Sequence, residues 1–161
     1  LWYAEKTFIL QRITPYFTNL RKEITKSPVY YFYDLGLRNY ALGLFGQLKE
    51  PHDMGFLFQN WVLNLLRERI RFSGGKICFW RTKDRAEVDF IIDFVKRQIP
   101  VEVKYQRLKE TETSRSFVSF IKKYKPPEAF VVNLSLEASR RLDGTMIFYI
   151  PFYKLMDAAI G

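Results

Sequence analysis

The sequence predicts an α/β domain whose mixed sheet is flanked by helices, and three observations lead there. "FLFQNWVLNLLRERIR", Phe56 to Arg71, carries Phe58, Trp61, Val62, Leu65 and Leu66 at i, i+3, i+4 spacing, the apolar stripe of an amphipathic helix. Three short β-type runs follow, "KICFWR", "AEVDFIID" and "QIPVEVKY", parted only by the polar turns "TKDR" and "FVKR". "EAFVVNL" is continuously apolar, the text expected of a strand buried on both faces and paired in parallel. Helices and short strands in this order pack as layers. With 161 residues, 48% of them hydrophobic, the chain can build one good-sized core.

The elements follow in chain order. "WYAEKTFILQRI" has helical apolar spacing, and Pro15 breaks it. Val29 to Tyr33 is short and aromatic and reads as a strand ending at Asp34; Leu35 to Leu48 reads as a short helix interrupted by glycines. "KEPHDMG" is polar and turn-rich, a linker into the main domain. The helix from Phe56 stops at "SGG". The three strands after it, joined by tight turns, form an antiparallel meander. Glu110 to Lys123 reads as a helix with Phe117, Phe120 and Ile121 on one side, ended by Pro126-Pro127. "EAFVVNL" and "MIFYIP" are strands, and "FYKLMDAAI" reads as a terminal helix. Repeats and low-complexity segments are absent from the sequence.

Charge bounds the partner. The formal net charge is +9 and the pI about 9.7, a balance that favours a polyanionic partner, either nucleic acid or an anionic membrane surface. No apolar run approaches the roughly 18–20 residues that cross a bilayer, so no membrane partner is expected. The lone Cys78 cannot form an internal disulfide and sits in an apolar run; a cytoplasmic setting and a buried thiol are expected. The single histidine, His52, lies in the linker and reads as a solvated loop residue. The chain opens "LWYAEK" with no initiator Met, so we expect a C-terminal piece of a longer protein.

"RAEVDFIIDFVKRQIPVEVKY", Arg85 to Tyr105, places acids in core-like strands. Alternation puts Glu87 and Asp89 on one face, continued by Ile91 and Asp93 if the strand stays regular, and Glu102 and Lys104 on one face of the next strand. Asp89 and Glu102 are 13 positions apart, which suits a tight hairpin that sets them side by side. Two carboxylates so close repel unless a cation sits between them, and Mg²⁺ or Mn²⁺ suits oxygen ligands. A neighbouring lysine either orients water and stabilises charge on a phosphate, or simply neutralises an acid. The absence of a His/Cys cluster from the sequence argues against zinc.

An Asp followed by Glu-x-Lys on adjacent strands after a helix resembles the PD-(D/E)XK nuclease superfamily. The ordered segments "SPVYYFYDLGLRNYALG", "GFLFQNWVLNLL", "CFWRTKDRAEVDFII" and "IPVEVKY" resemble more specifically the domain at the C-terminus of a large group of prokaryotic AAA+-type ATPases, over roughly residues 5 to 150. The resemblance implies a restriction-endonuclease-like αβββαβ core over 55–161, preceded at 1–54 by a helical or winged-helix-like remnant and linker that joins an ATPase module. No G-x-x-x-x-G-K-[ST] loop occurs, so no nucleotide site is expected in this fragment. Carried over by position, Asp89, Glu102 and Lys104 are catalytic; Asp89, Glu102 and the Val103 carbonyl hold Mg²⁺ or Mn²⁺. Gln59 stands where the first helix usually offers a glutamate. It supplies a neutral amide oxygen and no charge, which weakens Mg²⁺ affinity.

Three functions compete. One is metal-dependent phosphodiester cleavage of DNA. A second is a nuclease-like fold that binds DNA without cutting, through the cations Arg67, Arg69, Arg71, Arg81, Lys83 and Arg85, which cluster in sequence. Trp80 and Tyr105 either stack on bases or pack. The third is a docking domain for the ATPase, with "VYYFYDLGL" as interface.

Overall fold

The computed structural model of the chain describes residues 1–16, 27–47, 51–82, 85–158 and 160, with the backbone alone at Pro51 and His52. It is an α/β fold built on an eight-stranded mixed sheet. The elements are α1 (Trp2–Lys6), β1 (Leu10–Pro15), β2 (Val29–Phe32), α2 (Leu35–Ala41), α3 (Pro51–Arg69), β3 (Lys76–Arg81), β4 (Glu87–Asp93), β5 (Gln98–Val103), α4 (Arg115–Tyr124), β6 (Glu128–Asn133), β7 (Ala138–Leu142) and β8 (Thr145–Pro151). The strand order is β2-β1-β3-β4-β5-β6-β8-β7. β3, β4 and β5 form the expected antiparallel meander, and β6 runs parallel to both β5 and β8.

Alternation gives each face of the sheet its own core. α3 lays Phe58, Val62, Leu63 and Leu66 over Phe79, Phe90, Ile92 and Val101. α4 lays Phe117, Phe120 and Ile121 over Cys78, Trp80, Ile91, Val131 and Tyr149 on the other face. Each fully buried side chain of this size contributes about 1.5–3 kcal/mol. Pro100 sits inside β5 without breaking it. The turn bond from the Phe94 N–H to the Arg97 carbonyl makes Ile91 and Pro100 a non-hydrogen-bonded pair, and β6 pairs with β5 only from Val101 on. The missing N–H therefore leaves no gap in the ladder.

Several elements depart from expectation. Only residues 2–6 of the first segment are helical; Leu10–Pro15 is a strand, antiparallel to β2 and parallel to β3. Its Leu10 and Ile13 are buried, so the sheet edge overrides the helical spacing, and Pro15 is tolerated because it stands at the strand's end. The expected linker is helical from Pro51, His52 included: proline suits the first helical position and Asp53 suits the positive helix start. α2 is shorter than expected, ending at Ala41. α4 starts at Arg115 rather than near Glu110, because the Ser114 hydroxyl caps it, accepting from the Phe117 N–H at 3.1 Å. β7 was not expected; the Asp143-Gly144 turn, with φ of 49° and 87°, closes it against β8. The expected terminal helix is a single 3₁₀ turn, Phe152–Lys154, after which Arg69 clasps the Ala158 carbonyl at 3.1 and 3.0 Å. Among the described residues no helix is long and apolar enough to cross a membrane.

Candidate functional site

Asp89 lies where β4 and β5 part, one residue beyond the last pair, Phe90 with Val101. A β-bulge sets its direction. The β3–β4 register shifts between Cys78, opposite Ile91, and Trp80, opposite Val88. Val88 and Ile91 both pack beneath α4, while Phe90 packs beneath α3. Asp89 is the extra residue, and it turns with Phe90 toward α3. The expected continuation of its face through Ile91 and Asp93 is broken for that reason.

There the Asp89 carboxylate meets two N–H donors. Gln59 Nε2 donates to Oδ1 at 2.8 Å, and the Val103 backbone N–H donates to Oδ2 at 2.8 Å. Asp89 is half-buried by surface area, yet its carboxylate is sunk among protein atoms. Burial is the main cause that pushes its pKa up to about 7; the Val103 N–H opposes it, Glu102 and Glu87 add to it, and Lys104 opposes it. Tyr31, 5% exposed on the same side, is pushed up by burial and then by the Asp89 charge.

Glu102 goes the other way. It pairs with Val131, whose side chain packs beneath α4, and it is 9% exposed. The Ser114 N–H at the start of α4 points to its Oε2 at a long 3.5 Å. Close by, Tyr149 is fully buried; burial pushes its hydroxyl pKa up, and Arg140 and Thr113 oppose that rise. Lys104 extends β5, its N–H bonded to the Val132 carbonyl at 2.8 Å. Glu102 and Lys104 thus lie within electrical reach of Asp89, but the two carboxylates address opposite faces of the sheet.

As arranged, Gln59 brings no charge to a divalent cation at Asp89. Gln59 presents its NH₂, not its oxygen, to Asp89, and both Asp89 oxygens already accept N–H bonds. Among the described residues no three His, Cys, Asp or Glu side chains group closely enough to hold a metal. Glu87 is engaged by Arg81 in a bidentate pair at 3.0 and 2.8 Å. Trp80 is core, 4% exposed, and donates to the Tyr124 hydroxyl at 3.3 Å; Tyr105 is 38% exposed, its ring 5.5 Å from that of Phe58.

The sequence-adjacent cations do not form one track. Arg81 and the exposed Arg85 stand at the Asp89 end of the strands. Arg67 and Arg71 stand at the other end, near Lys76, and Lys83 lies outside the described residues. Arg12 and Lys76 join Arg67 and Arg71 there, a grouping that reading along the chain missed because β1 is far from α3 in sequence.

Fold and site define an α/β domain on a mixed sheet with a capped carboxylate at a strand divergence. A family model described as "Domain of unknown function (DUF4143)" matches residues 54–154, and the chain belongs to that family. A second model, described as "Domain of unknown function (DUF8612)", matches residues 1–48. Uncharacterized proteins of Mycobacterium bovis and Mycobacterium tuberculosis are each 28% identical over 113 residues, covering 69% of this chain and 25% of theirs. The chain therefore spans about a quarter of the length of these curated relatives. Among solved structures, the assembly of Thermococcus gammatolerans McrB AAA+ hexamers with bound McrC matches with a TM-score of 0.48 at 14% identity, over 66% of this chain and 30% of that one.

Proposed function

We propose that this chain is a PD-(D/E)XK nuclease-like domain, with an AAA+-type ATPase module as partner, that engages nucleic acid in the cytoplasm without an efficient metal centre of its own. The observation that carries this reading is the Gln59–Asp89 contact: a neutral amide donates to the carboxylate at 2.8 Å, where a second charged oxygen ligand would strengthen cation binding. The order α3-β3-β4-β5-α4-β6 and the placing of Gln59, Asp89, Glu102 and Lys104 around one strand divergence support the nuclease-like lineage. The net charge of +9 supports a nucleic-acid partner.

The test incubates the chain with supercoiled plasmid in Mn²⁺ and, separately, measures DNA binding against salt. The expected result is binding that weakens with salt and no cleavage. A second reading, metal-dependent cleavage of DNA, is favoured by one observation: Glu102 and Lys104 both act on Asp89, in opposite senses. Nicking that disappears in Asp89→Ala and Lys104→Ala would establish that reading and overturn the first. Absence of both binding and cleavage would overturn both. For the ATPase partner, the two halves expressed as separate chains should co-purify; two independent monomers would count against it.

A further inference from the structure

At the end of the sheet remote from Asp89, two cavities share a wall. One, of about 610 Å³, lies between β1, the end of α3 and the start of β3; its charged lining is Arg12, Arg67, Arg71 and Lys76, with Glu5 as the one acid. The other, of about 460 Å³, is lined by Phe8, Tyr33, Asn64 and Glu68 together with the same Arg67 and Arg71. Lys76 pairs with Asp93, which lies four positions along β4 from Asp89, roughly 13 Å at the usual rise.

From these adjoining cavities we infer a binding site for single-stranded nucleic acid, phosphates on the four cations and a base against Phe8 and Tyr33. The inference rests on the nucleic-acid reading proposed above and adds which form is bound and where. Single-strand sites combine a cationic groove with aromatic faces, because every base stacks whatever its identity.

Both halves are prepared in advance. Arg67 is aimed: Gln11 Oε1 accepts from its Nη1 at 2.9 Å, and its guanidinium lies 5.5 Å from the centre of the Tyr33 ring. Gln11, 1% exposed, is itself fixed by Asn64. Phe8 is 74% exposed and sits at φ 56°, a conformation costly for a bulky residue; its ring lies 6.1 Å from that of Tyr33 at 69°. The backbone turn at Phe8 closes α1, the Ile9 N–H bonding the Ala4 carbonyl at 2.9 Å, and it leaves the ring in solvent with Tyr33 beside it. Part of the charge has a local use, since Arg67 in the last turn of α3 complements the helix dipole. The acids beside Arg12 and Arg71 neutralise those two cations weakly. Arg12 meets Glu5 at 3.8 Å and Arg71 meets Glu68 at 3.5 Å, exposed pairs that a phosphate readily displaces.

The experiment is fluorescence anisotropy of a labelled oligothymidylate of about a dozen nucleotides, in EDTA, with the 161-residue chain. The unaltered chain should bind it more tightly than a duplex of equal length. The pair Arg12→Glu with Arg71→Glu, both exposed, should weaken binding about tenfold or more. The exposed Phe8→Ala should weaken it about fivefold or more. The pair Lys122→Glu with Lys123→Glu on α4 changes net charge equally and should shift binding less than about twofold. Equal losses in the two charge-reversal pairs, or no loss in Phe8→Ala, would overturn the site. Duplex bound as tightly as the single strand would overturn the inference and leave the proposed function standing. No binding of either form would overturn both. Displacement of the oligonucleotide by polyglutamate at equal charge concentration would identify the cavities as a dock for an acidic protein and also overturn the inference.

Discussion

The two ends of the central strands handle charge in opposite ways. At the β4–β5 divergence a lone carboxylate is drawn among protein atoms, capped by two N–H groups and pushed toward neutrality. At the far end four cations line an open cavity, with Glu5 beside Arg12 and Glu68 beside Arg71. Burial thus decides what a formal charge is worth: the acid that looks most catalytic in sequence is held in a largely hydrogen-bonded state, while plain surface arginines carry the usable field.

The largest expected effect removes what keeps the two ends in register. Phe90 is fully buried beside the bulge, so Phe90→Ala should lower stability by about 3–5 kcal/mol in urea denaturation and loosen both ends together. A loss under about 1 kcal/mol would mean that the bulge is not held by this packing.

Asp89 gives the next effect, read through pH. Its folded pKa lies near 7, against an ordinary 3.8. Well below pH 3.8 both states are protonated and the group does not change stability. As pH rises toward 7 the unfolded chain gives up the proton first, so stability falls, by at most on the order of 4 kcal/mol over the window. Asp89→Asn removes that dependence: its side-chain oxygen still accepts from the Val103 N–H, and Gln59 turns its own oxygen to the new amide. Denaturation at pH 4.5 and pH 8 should show the wild type weaker at high pH and the variant nearly level. A wild type that gains stability across that range would contradict the capped, near-neutral site.

Asn60 clamps β2 to α3, accepting from the Phe32 N–H at 3.0 Å and donating to the Phe32 carbonyl at 2.7 Å. Asn60→Ala strands the Phe32 N–H and leaves its carbonyl only the longer bonds from Gln11 and Asn64, at 3.4 and 3.5 Å, and should cost about 1–3 kcal/mol. Because β2 carries Tyr33 toward the aromatic cavity, oligonucleotide binding should weaken as well, whereas the Asp89 pH dependence should stay. The smallest effect belongs to the exposed Arg81–Glu87 pair: Arg81→Ala should lower stability by about 0.2–1 kcal/mol, less in high salt.

Much of the fold was legible along the chain. The apolar stripe of α3, the meander β3-β4-β5 and the unbroken run of β6 each announce themselves within a dozen residues. β1 was not legible, because "FILQRITP" has helical spacing and becomes a strand only when Leu10 and Ile13 find the sheet edge. β7 had a signal in Asp143-Gly144, a dipeptide made for a tight hairpin turn. The terminal segment has helix-like text, but Arg69 takes its Ala158 carbonyl and Leu155 and Ile160 are buried without a helix.

The sequence by itself determined the charge balance and the order of elements from α3 to β6, since these rest on residue identity and local period. Tertiary structure decided where the side chains point. A strand's side chains repeat every two residues, so one extra residue in β4 swings Asp89 from the Glu102 side to the Gln59 side, and no local pattern encodes that slip. Tertiary structure also gathered Arg12 and Lys76 beside Arg67 and Arg71, because pairing β1 with β3 closes a distance that sequence separation hides.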